Sequence, residues 1–180
     1  MQILETPIQG LLVIKPNVFG DERGYFFESW SKKAYQDIGI AQDFVQDNQS
    51  LSQKGVLRGL HFQNPPFSQG KLVRVIKGSV FDVAVDIRKD SLTYGQHFSL
   101  IISEENKTIF WIPAGFAHGF VALEADTVFT YKCTEVYNKE SEGSLLWNDK
   151  ELNIDWGVAS PLVSEKDMNA HSFKDFKSKF

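Results

Sequence analysis

Short runs of β-forming residues, separated by glycine, proline or polar residues, recur along almost the whole chain, and no series of helices alternates with them. This spacing is typical of antiparallel sandwiches and barrels rather than of folds with a parallel sheet. A short helix is predicted over residues 31–38, with Ser31 as its N-cap and Gly39 as its C-terminal stop. Strands are predicted at residues 11–14, 23–30, 56–63, 70–77, 79–87, 96–103, 108–113, 119–122 and 127–136.

The length of 180 residues fits one domain with a sizeable core, and no internal repeat, low-complexity tract or linker interrupts the pattern. We therefore expect residues 1–180 to form a single all-β domain with a few short peripheral helices. Phenylalanine occurs 15 times, which favours β-structure because flat rings pack well on a pleated face. The polar tail, residues 164–180, carries phenylalanine at 173, 176 and 180 and predicts a short helix packed on the barrel.

Charge and cysteine content narrow the classes of function. The net charge of −4 argues against non-specific nucleic-acid binding, although a local basic patch can still hold a phosphate. Cys133 is the only cysteine, which excludes an intrachain disulfide and fits a reducing compartment. The first ten residues lack the pattern of a signal peptide, and the apolar runs are too short to span a membrane. These features predict a cytoplasmic protein without a nucleic-acid or membrane partner.

Ionisable residues that face the inside of a β-barrel are informative, because burying them costs free energy unless they are paired or used. Side chains alternate between the two faces of a strand. In residues 127–136 the apolar parity contains Phe129 and Cys133, and it takes Tyr131 inside with them. In residues 71–77 one parity places Lys71 at the end of an inward apolar row. Both polar groups are therefore predicted to reach the interior.

Arg58 and His61 have opposite parity, so a regular strand does not point both side chains at one pocket. Gly59 lies between them, and a β-bulge at this glycine resolves the conflict. His118 also follows a glycine-containing, strand-like segment. Taken one at a time, these residues and Asp167 are typical of packing or surface positions, and only their combination carries a functional argument.

The combination resembles the dTDP-4-dehydrorhamnose 3,5-epimerase family, and the resemblance covers nearly the whole chain in order. It rests mainly on two long blocks, RGLHFQ at 58–63 and IPAGFAHGF at 112–120. The supporting blocks are GDERGYF at 20–26, QDN at 46–48, QGKLVRV at 69–75, the strand from 131 to 137, and SEKD at 164–167. The resemblance implies a cupin-type antiparallel jelly roll, a homodimer, and a place in L-rhamnose nucleotide biosynthesis for surface polysaccharides such as O-antigen.

The resemblance also implies roles for individual residues. His61 would be the base, paired with Asp167, while Tyr131 would be the acid and Lys71 would stabilise an enolate. Arg23 and Glu28 would serve the site of the partner subunit. The substrate, dTDP-4-dehydro-6-deoxyglucose, would be surrounded by Gln46, Asp47, Asn48, Arg58, Lys71, His118, Glu142 and Lys166, with Tyr137 stacking on thymine.

The chemistry of this substrate calls for such residues. Carbons 3 and 5 both flank the C4 ketone, so removal of either proton gives an enolate on the same oxygen, and one cation there serves both steps. Inversion needs a base and an acid on opposite faces of the ring, which suits a histidine and a protonated tyrosine. Neither a redox cofactor nor a metal is needed, and no dinucleotide-binding glycine motif occurs in the chain.

Three alternatives remain open at the level of sequence. A metal-dependent cupin usually needs two closely spaced histidines, a glutamate and a further histidine, and the surroundings of His61 lack this set. A non-catalytic jelly roll that binds sugar nucleotides would need the arginines but not the base, acid and lysine together. An epimerase acting at C5 only, or a ketoisomerase, would use the same catalytic groups.

Overall fold

The computed structural model describes all 180 residues, which form fourteen strands and two short helices. The strands are β1 (Gln2–Glu5), β2 (Leu12–Lys15), β3 (Phe19–Asp21), β4 (Gly24–Phe26), β5 (Gln46–Ser52), β6 (Val56–Gln63), β7 (Lys71–Lys77), β8 (Ser79–Asp86), β9 (His97–Ser103), β10 (Ile109–Ile112), β11 (Phe116–Ala122), β12 (Thr127–Cys133), β13 (Glu142–Ser144) and β14 (Leu162–Val163). The helices are α1 (Lys32–Gln36) and α2 (Glu165–Met168). Neither helix has the length and apolar character needed to cross a bilayer.

Two large sheets make up the body of the fold. The first sheet has the strand order β1-β2-β10-β7-β12-β5, and the second has the order β13-β6-β11-β8-β9. Every pairing within these two orders is antiparallel, and only the short β14 adds to β6 in parallel. Gly78 carries the chain directly from β7 in the first sheet to β8 in the second. The predicted antiparallel jelly roll of the cupin class is confirmed.

The main core lies between the two sheets. Phe110 and Phe129 of the first sheet are fully buried against Phe116 and Phe120 of the second sheet. The rings of Phe120 and Phe129 stack with centroids 4.2 Å apart. Burial of each such side chain contributes roughly 1.5–3 kcal/mol, so this aromatic contact is a principal link between the sheets.

Each sheet is also covered on its outer face. Tyr35 of α1 and Ile40 pack with Trp111 on the outer face of the first sheet. The predicted N-cap of α1 is confirmed, since Ser31 accepts a hydrogen bond from the Ala34 amide. The C-terminal end lies earlier than predicted, because the helix stops at Gln36 with Asp37 as its C-cap, and Gly39 with φ +92° belongs to the turn that follows. On the second sheet, the outer residues of β6 and β8 are covered by Leu152, Trp156 and the C-terminal tail.

The C-terminal tail packs as predicted but is helical over only one turn. The predicted helix is limited to α2, which ends at Met168. Phe173, Phe176 and Phe180 reach the outer face of the second sheet from irregular backbone. The spacing of the three rings therefore reflects contact with Phe62 and its neighbours rather than one helix face.

The predicted strand over residues 23–30 is wrong in extent. Only Gly24–Phe26 is extended, and it pairs with Phe19–Asp21 in a separate two-stranded hairpin. Tyr25 and Phe26 are 59% and 69% exposed there, so these two aromatic residues of the predicted strand lie on the surface of this chain.

Five strands, β1, β3, β5, β13 and β14, are absent from the sequence prediction. β5 consists almost entirely of polar residues, which have low strand propensity. It forms because all seven residues pair with β12, so tertiary pairing overrides local preference. Its burial alternates, with Gln46, Asn48, Ser50 and Ser52 on the less exposed face.

The predicted bulge in β6 is confirmed. The register between β6 and β11 shifts between the pairs His61–His118 and Arg58–Phe120, so β6 has one extra residue. Gly59 has φ +141°, and a Cβ atom there would lie 2.5 Å from the Cα atom of Gly119. Glycine is required at this position for both reasons. The bulge turns Arg58 and His61 toward the same side of the strand.

Candidate active site

A cavity of about 580 Å³ opens between the two sheets beside α2. Most of the predicted site residues lie on its wall, including His61, Lys71, Tyr131, Asp167, Arg58, His118 and Lys166. A smaller cavity of about 130 Å³ shares His61, Lys71 and Tyr131 with the first, and Gln46, Asn48, Tyr137 and Glu142 also line it. The predicted base, acid and lysine therefore lie where the two cavities meet. We call the two cavities together the junction site.

His61 of β6 is paired with Asp167 of α2. The Nε2 atom of His61 lies 2.6 Å from Oδ1 of Asp167, and the histidine side chain is 32% exposed while the carboxylate is almost fully buried. With Nε2 directed at the carboxylate, Nδ1 is the ring nitrogen that remains free to accept a proton. The pair joins residues 106 positions apart in the sequence, so the fold alone creates it.

Asp167 is held in place by its own helix and by the bulge of β6. Ser164 caps α2 and accepts a hydrogen bond from the Asp167 amide at 3.1 Å, and the Gly59 amide donates to Oδ2 of Asp167 at 3.3 Å. Burial alone raises the pKa of this carboxyl group, but the hydrogen bond and charge of His61 outweigh burial and lower the pKa. Asp167 is therefore ionised and able to stabilise a protonated His61.

Lys71 of β7 reaches the cavity from the first sheet, as its parity predicted. Its Nζ atom donates a hydrogen bond to the His61 carbonyl oxygen at 3.3 Å and lies 6.0 Å from the centre of the Tyr131 ring. Burial lowers the pKa of Lys71, while the nearby Cys133, Asp82 and Glu142 raise it in part. The ammonium is thus poorly solvated and strongly attracted to any negative charge that develops in the cavity.

Tyr131 of β12 lies on the interior side of its strand, as predicted, and the centroid of its ring is 6.0 Å from the centroid of the Phe129 ring. Burial raises the pKa of Tyr131, and the charge of Arg58 and a hydrogen bond from Asn48 oppose this effect. Asn48 is the direct partner of Tyr131 across β5 and β12. The phenol is therefore protonated at neutral pH and available as a proton donor.

The smaller cavity is closed on one side by a polar network. Lys166 forms an ion pair with Glu142 at 2.6 Å, and the Tyr137 hydroxyl donates to Glu142 at 3.2 Å. Partial burial raises the pKa of Glu142, but the hydrogen bond and charge of Lys166 lower it overall. Gln46 accepts a hydrogen bond from the Tyr137 amide at 2.8 Å and donates to Asn48 at 3.1 Å. The network leaves Tyr137 55% exposed at the rim.

Three predicted site residues do not reach these cavities. Asp47 lies on the opposite face of β5, where its carboxylate forms an ion pair with Lys132 at 2.7 Å. Arg23 stands in the exposed β3–β4 hairpin and pairs with Asp21, and Glu28 is exposed in the segment that follows. The contribution of Arg23 and Glu28 to the site of a partner subunit remains a prediction.

A family model described as dTDP-4-dehydrorhamnose 3,5-epimerase matches residues 5–175. The chain belongs to the dTDP-4-dehydrorhamnose 3,5-epimerase family. It is 51% identical to the Shigella flexneri protein of that name over 176 residues, which is 97% of each chain. The family resemblance seen in the sequence is confirmed.

Solved structures of dTDP-sugar epimerases extend the similarity to three dimensions. The Legionella pneumophila 3,5-epimerase in complex with dTDP-4-keto-L-rhamnose is 51% identical, with a TM-score of 0.94 and coverage of 98% of this chain and 94% of that one. A 3′-monoepimerase from Streptomyces bikiniensis in complex with dTDP-quinovose is 29% identical, with a TM-score of 0.88 and coverage of 93% and 85%. The fold is thus shared by epimerases whose names state different stereochemical outcomes.

The sequence prediction for this epimerase-family chain missed Asp82. Its carboxylate lies 3.0 Å from Nε2 of His118, and both side chains are almost completely buried. Burial lowers the pKa of His118, with the Asp82 carboxylate opposing and the charges of Lys71 and His61 adding to the effect. Asp82 lies on the same face of β8 as Val80 and Ala84, which are core residues. An acidic residue on an otherwise apolar strand face was the sequence signal that could have identified it.

No group of three or more histidine, cysteine, aspartate or glutamate side chains forms an arrangement suited to a metal ion. His61 and His118 are cross-strand partners, but each is bonded to a different aspartate. The metal-dependent alternative therefore has no ligand set in this chain, and the absence of a metal requirement remains a prediction.

Proposed function

We propose that the chain catalyses epimerisation at C3 and C5 of dTDP-4-dehydro-6-deoxy-D-glucose, giving dTDP-4-dehydro-L-rhamnose in dTDP-L-rhamnose biosynthesis. The observation that carries this proposal is the meeting of the His61–Asp167 pair, the Lys71 ammonium and the Tyr131 hydroxyl at one site. Each of these groups matches one requirement of proton transfer next to a ketone.

The first step is removal of a proton from C3 or C5 by Nδ1 of His61. The C–H bond breaks, its electron pair moves into the ring, and the negative charge develops on the C4 oxygen. Asp167 stabilises the imidazolium that forms, as its hydrogen bond to Nε2 allows. Lys71 stabilises the enolate oxygen from a poorly solvated position, where the interaction is stronger than in water.

The second step is delivery of a proton to the opposite face of the same carbon by Tyr131. The enolate collapses to the ketone with inverted configuration, and the Tyr131 phenolate regains a proton from solvent while His61 releases one. The charge of Arg58 lowers the pKa of Tyr131 against the effect of burial, which makes the phenol a better donor. Repetition at the second carbon completes the reaction without any redox cofactor or metal.

The nucleotide is held by the charged and aromatic groups around the junction site. Arg58 and Lys166 supply positive charge for the diphosphate, and the exposed Tyr137 ring at the rim stacks on thymine. Gln46, Asn48, His118 and Glu142 contact the sugar and nucleotide. Asp47 would contribute through its backbone, because its side chain faces Lys132.

A homodimer completes this proposal. The exposed β3–β4 hairpin carries large aromatic surfaces, and such a patch is typical of an interaction site. Arg23 and Glu28 then act in the site of the second copy, with residues 1–180 as a single domain in each subunit. A single, buried cysteine fits a reducing compartment, which supports a cytoplasmic enzyme supplying L-rhamnose for a surface polysaccharide such as O-antigen.

Incubation of the purified protein with dTDP-4-dehydro-6-deoxyglucose in deuterated water tests the reaction. Proton NMR of the product should show deuterium at C3 and C5 and inverted configuration at both carbons. Inversion at one carbon only would replace the proposal by a monoepimerase, and an unlabelled sugar would leave only binding. Activity should persist after dialysis against a metal chelator, whereas its loss and recovery with a metal ion would favour a metal-dependent cupin.

A further inference from the structure

Strand β5 presents a row of polar side chains to the inner side of the first sheet, and Ser52 ends this row. Ser52 is only 2% exposed, in contrast to its neighbour Leu51, which is 57% exposed. The Oγ atom of Ser52 has one partner, the guanidinium of Arg58, and accepts a hydrogen bond from its Nε atom at 3.1 Å. A buried hydroxyl in β5 therefore holds a cationic side chain of β6.

Arg58 is fixed through one edge of its guanidinium only. In addition to the Nε bond, its Nη2 atom donates to the Leu51 carbonyl oxygen at 3.3 Å. Both contacts lie on the Nε–Nη2 edge, whereas Nη1 has no hydrogen-bond partner and Arg58 has no carboxylate partner. The Nη1–Nη2 edge is thus left for a ligand, and Arg58 lines the large cavity.

A free arginine side chain has high rotamer entropy, and fixing it on binding costs free energy. A guanidinium that is already oriented by the protein loses less entropy when it forms a bidentate contact with phosphate. We infer that Ser52 is a positioning residue, which orients Arg58 so that its Nη1–Nη2 edge receives the diphosphate of the nucleotide sugar. This inference rests on the proposed function, and it adds a residue to which neither the sequence motifs nor the family resemblance gave a role.

Isothermal titration calorimetry with dTDP as the probe tests the inference through a double-mutant cycle. Ser52→Ala should weaken dTDP binding roughly tenfold, the effect of losing one charge-assisted hydrogen bond. In an Arg58→Ala background the same substitution should change dTDP affinity less than about twofold, because no guanidinium remains to be oriented. With the full substrate, KM should rise more than kcat falls.

Two further variants separate positioning from general stability. Ser52→Thr keeps the hydroxyl and should restore dTDP binding to within about threefold of the original protein. Ser79→Ala removes another buried serine hydroxyl, one that donates to Glu124, and should leave dTDP affinity unchanged. Ser52→Cys keeps the volume with a weak acceptor and provides the same comparison if Ser52→Ala does not fold.

Unchanged dTDP affinity in Ser52→Ala, or an equal loss in the presence and absence of Arg58, would overturn the positioning role. The two proposals fail in different ways. A protein that bound dTDP through Ser52 and Arg58 but did not epimerise the substrate would retain this inference and refute the proposed reaction. A protein that turned over substrate with full dTDP affinity in Ser52→Ala would do the reverse.

Discussion

The molecule contains two histidine–aspartate pairs that reach the same cavity from neighbouring strands. His61 and His118 are direct cross-strand partners, yet the His61 side chain is 32% exposed and the His118 side chain only 7%. Asp167 comes from a short helix at the rim, whereas Asp82 comes from the middle of a core strand. The same chemical pair is thus built once at the edge of the cavity and once inside its wall.

The difference in exposure gives the two pairs different chemistry. A base in a catalytic cycle must take a proton from substrate and release it to solvent, and only the first pair has that access. Burial lowers the pKa of His118, so this ring is neutral at neutral pH, which under the proposed function suits it to hydrogen bonding with the sugar. Under the proposed function, position in the fold, rather than residue type, separates the proton carrier from the binding group.

Replacement of each histidine by alanine should show the difference between the two pairs most clearly. His61→Ala is expected to lower kcat by about 10³-fold or more, since general-base catalysis contributes 10²–10⁴-fold, and to abolish deuterium exchange at both carbons. His118→Ala should mainly raise KM and keep exchange measurable. Retained exchange in His61→Ala would remove His61 as the base, and calorimetric titration with dTDP checks that this variant still binds nucleotide.

Substitution of the phenol should separate abstraction from inversion. Tyr131→Phe loses only the hydroxyl, so His61 still removes a proton and returns it, or a deuteron, to the original face. Inverted product should fall by about 10²-fold or more, while solvent deuterium still enters the substrate. NMR of the sugar at intermediate times measures both quantities, and normal epimerisation would refute the assignment of Tyr131 as acid.

Exchange of each aspartate for its amide should distinguish the two pairs further. Asp167→Asn removes the charge that stabilises the His61 imidazolium and is expected to lower kcat on the order of 10²-fold. Asp82→Asn should change kcat less than about tenfold, since His118 does not carry the proton, but it should destabilise the fold by about 1–3 kcal/mol. Steady-state kinetics and urea unfolding measure the contrast, and equal kcat losses would contradict it.

The pH dependence of stability should show the smallest effect. Burial lowers the pKa of folded His118 below its usual value of 6.5, so the unfolded chain binds the proton more readily. Stability should therefore fall as pH drops below about 6.5, by at most about 1.4 kcal/mol per pH unit for this group. Urea unfolding at pH 7.5 and 5.5 should show a smaller decrease in His118→Gln.

Asp167 should affect the stability of the fold in a different pH range from His118. Its pKa is lowered in the folded state, mainly by His61 against the effect of burial. Its contribution to stability is thus complete above the usual aspartate pKa of 3.8 and is lost as pH falls below that value. An Asp167→Asn variant that flattened the profile between pH 7.5 and 5.5 would contradict this separation.

Local sequence patterns predicted those parts of the fold in which pattern and packing agree. The apolar alternation of β7 and β12 placed Lys71 and Tyr131 inside, and the parity conflict between Arg58 and His61 located the bulge at Gly59. The polar strand β5 was missed because its pairing with β12, rather than its own propensity, makes it extended. The roles of the site residues came from the family resemblance, not from local patterns.

Contacts between distant elements were the least predictable part of the site. Nothing near Asp82 in the sequence indicates that it meets His118, 36 positions away, and nothing near Ser52 indicates its bond to Arg58. Asp47 was grouped with Gln46 and Asn48 by its motif, although strand alternation turns its side chain to the opposite face.

The account depends on a base and an acid that face opposite sides of one sugar ring. A crystal structure with a dTDP-linked sugar bound tests this arrangement most directly. The account predicts the hexose between the His61 ring and the Tyr131 hydroxyl, with Lys71 Nζ within hydrogen-bonding distance of the C4 oxygen. A complex with both side chains on the same face of the hexose, or with the ring away from the junction site, would contradict it.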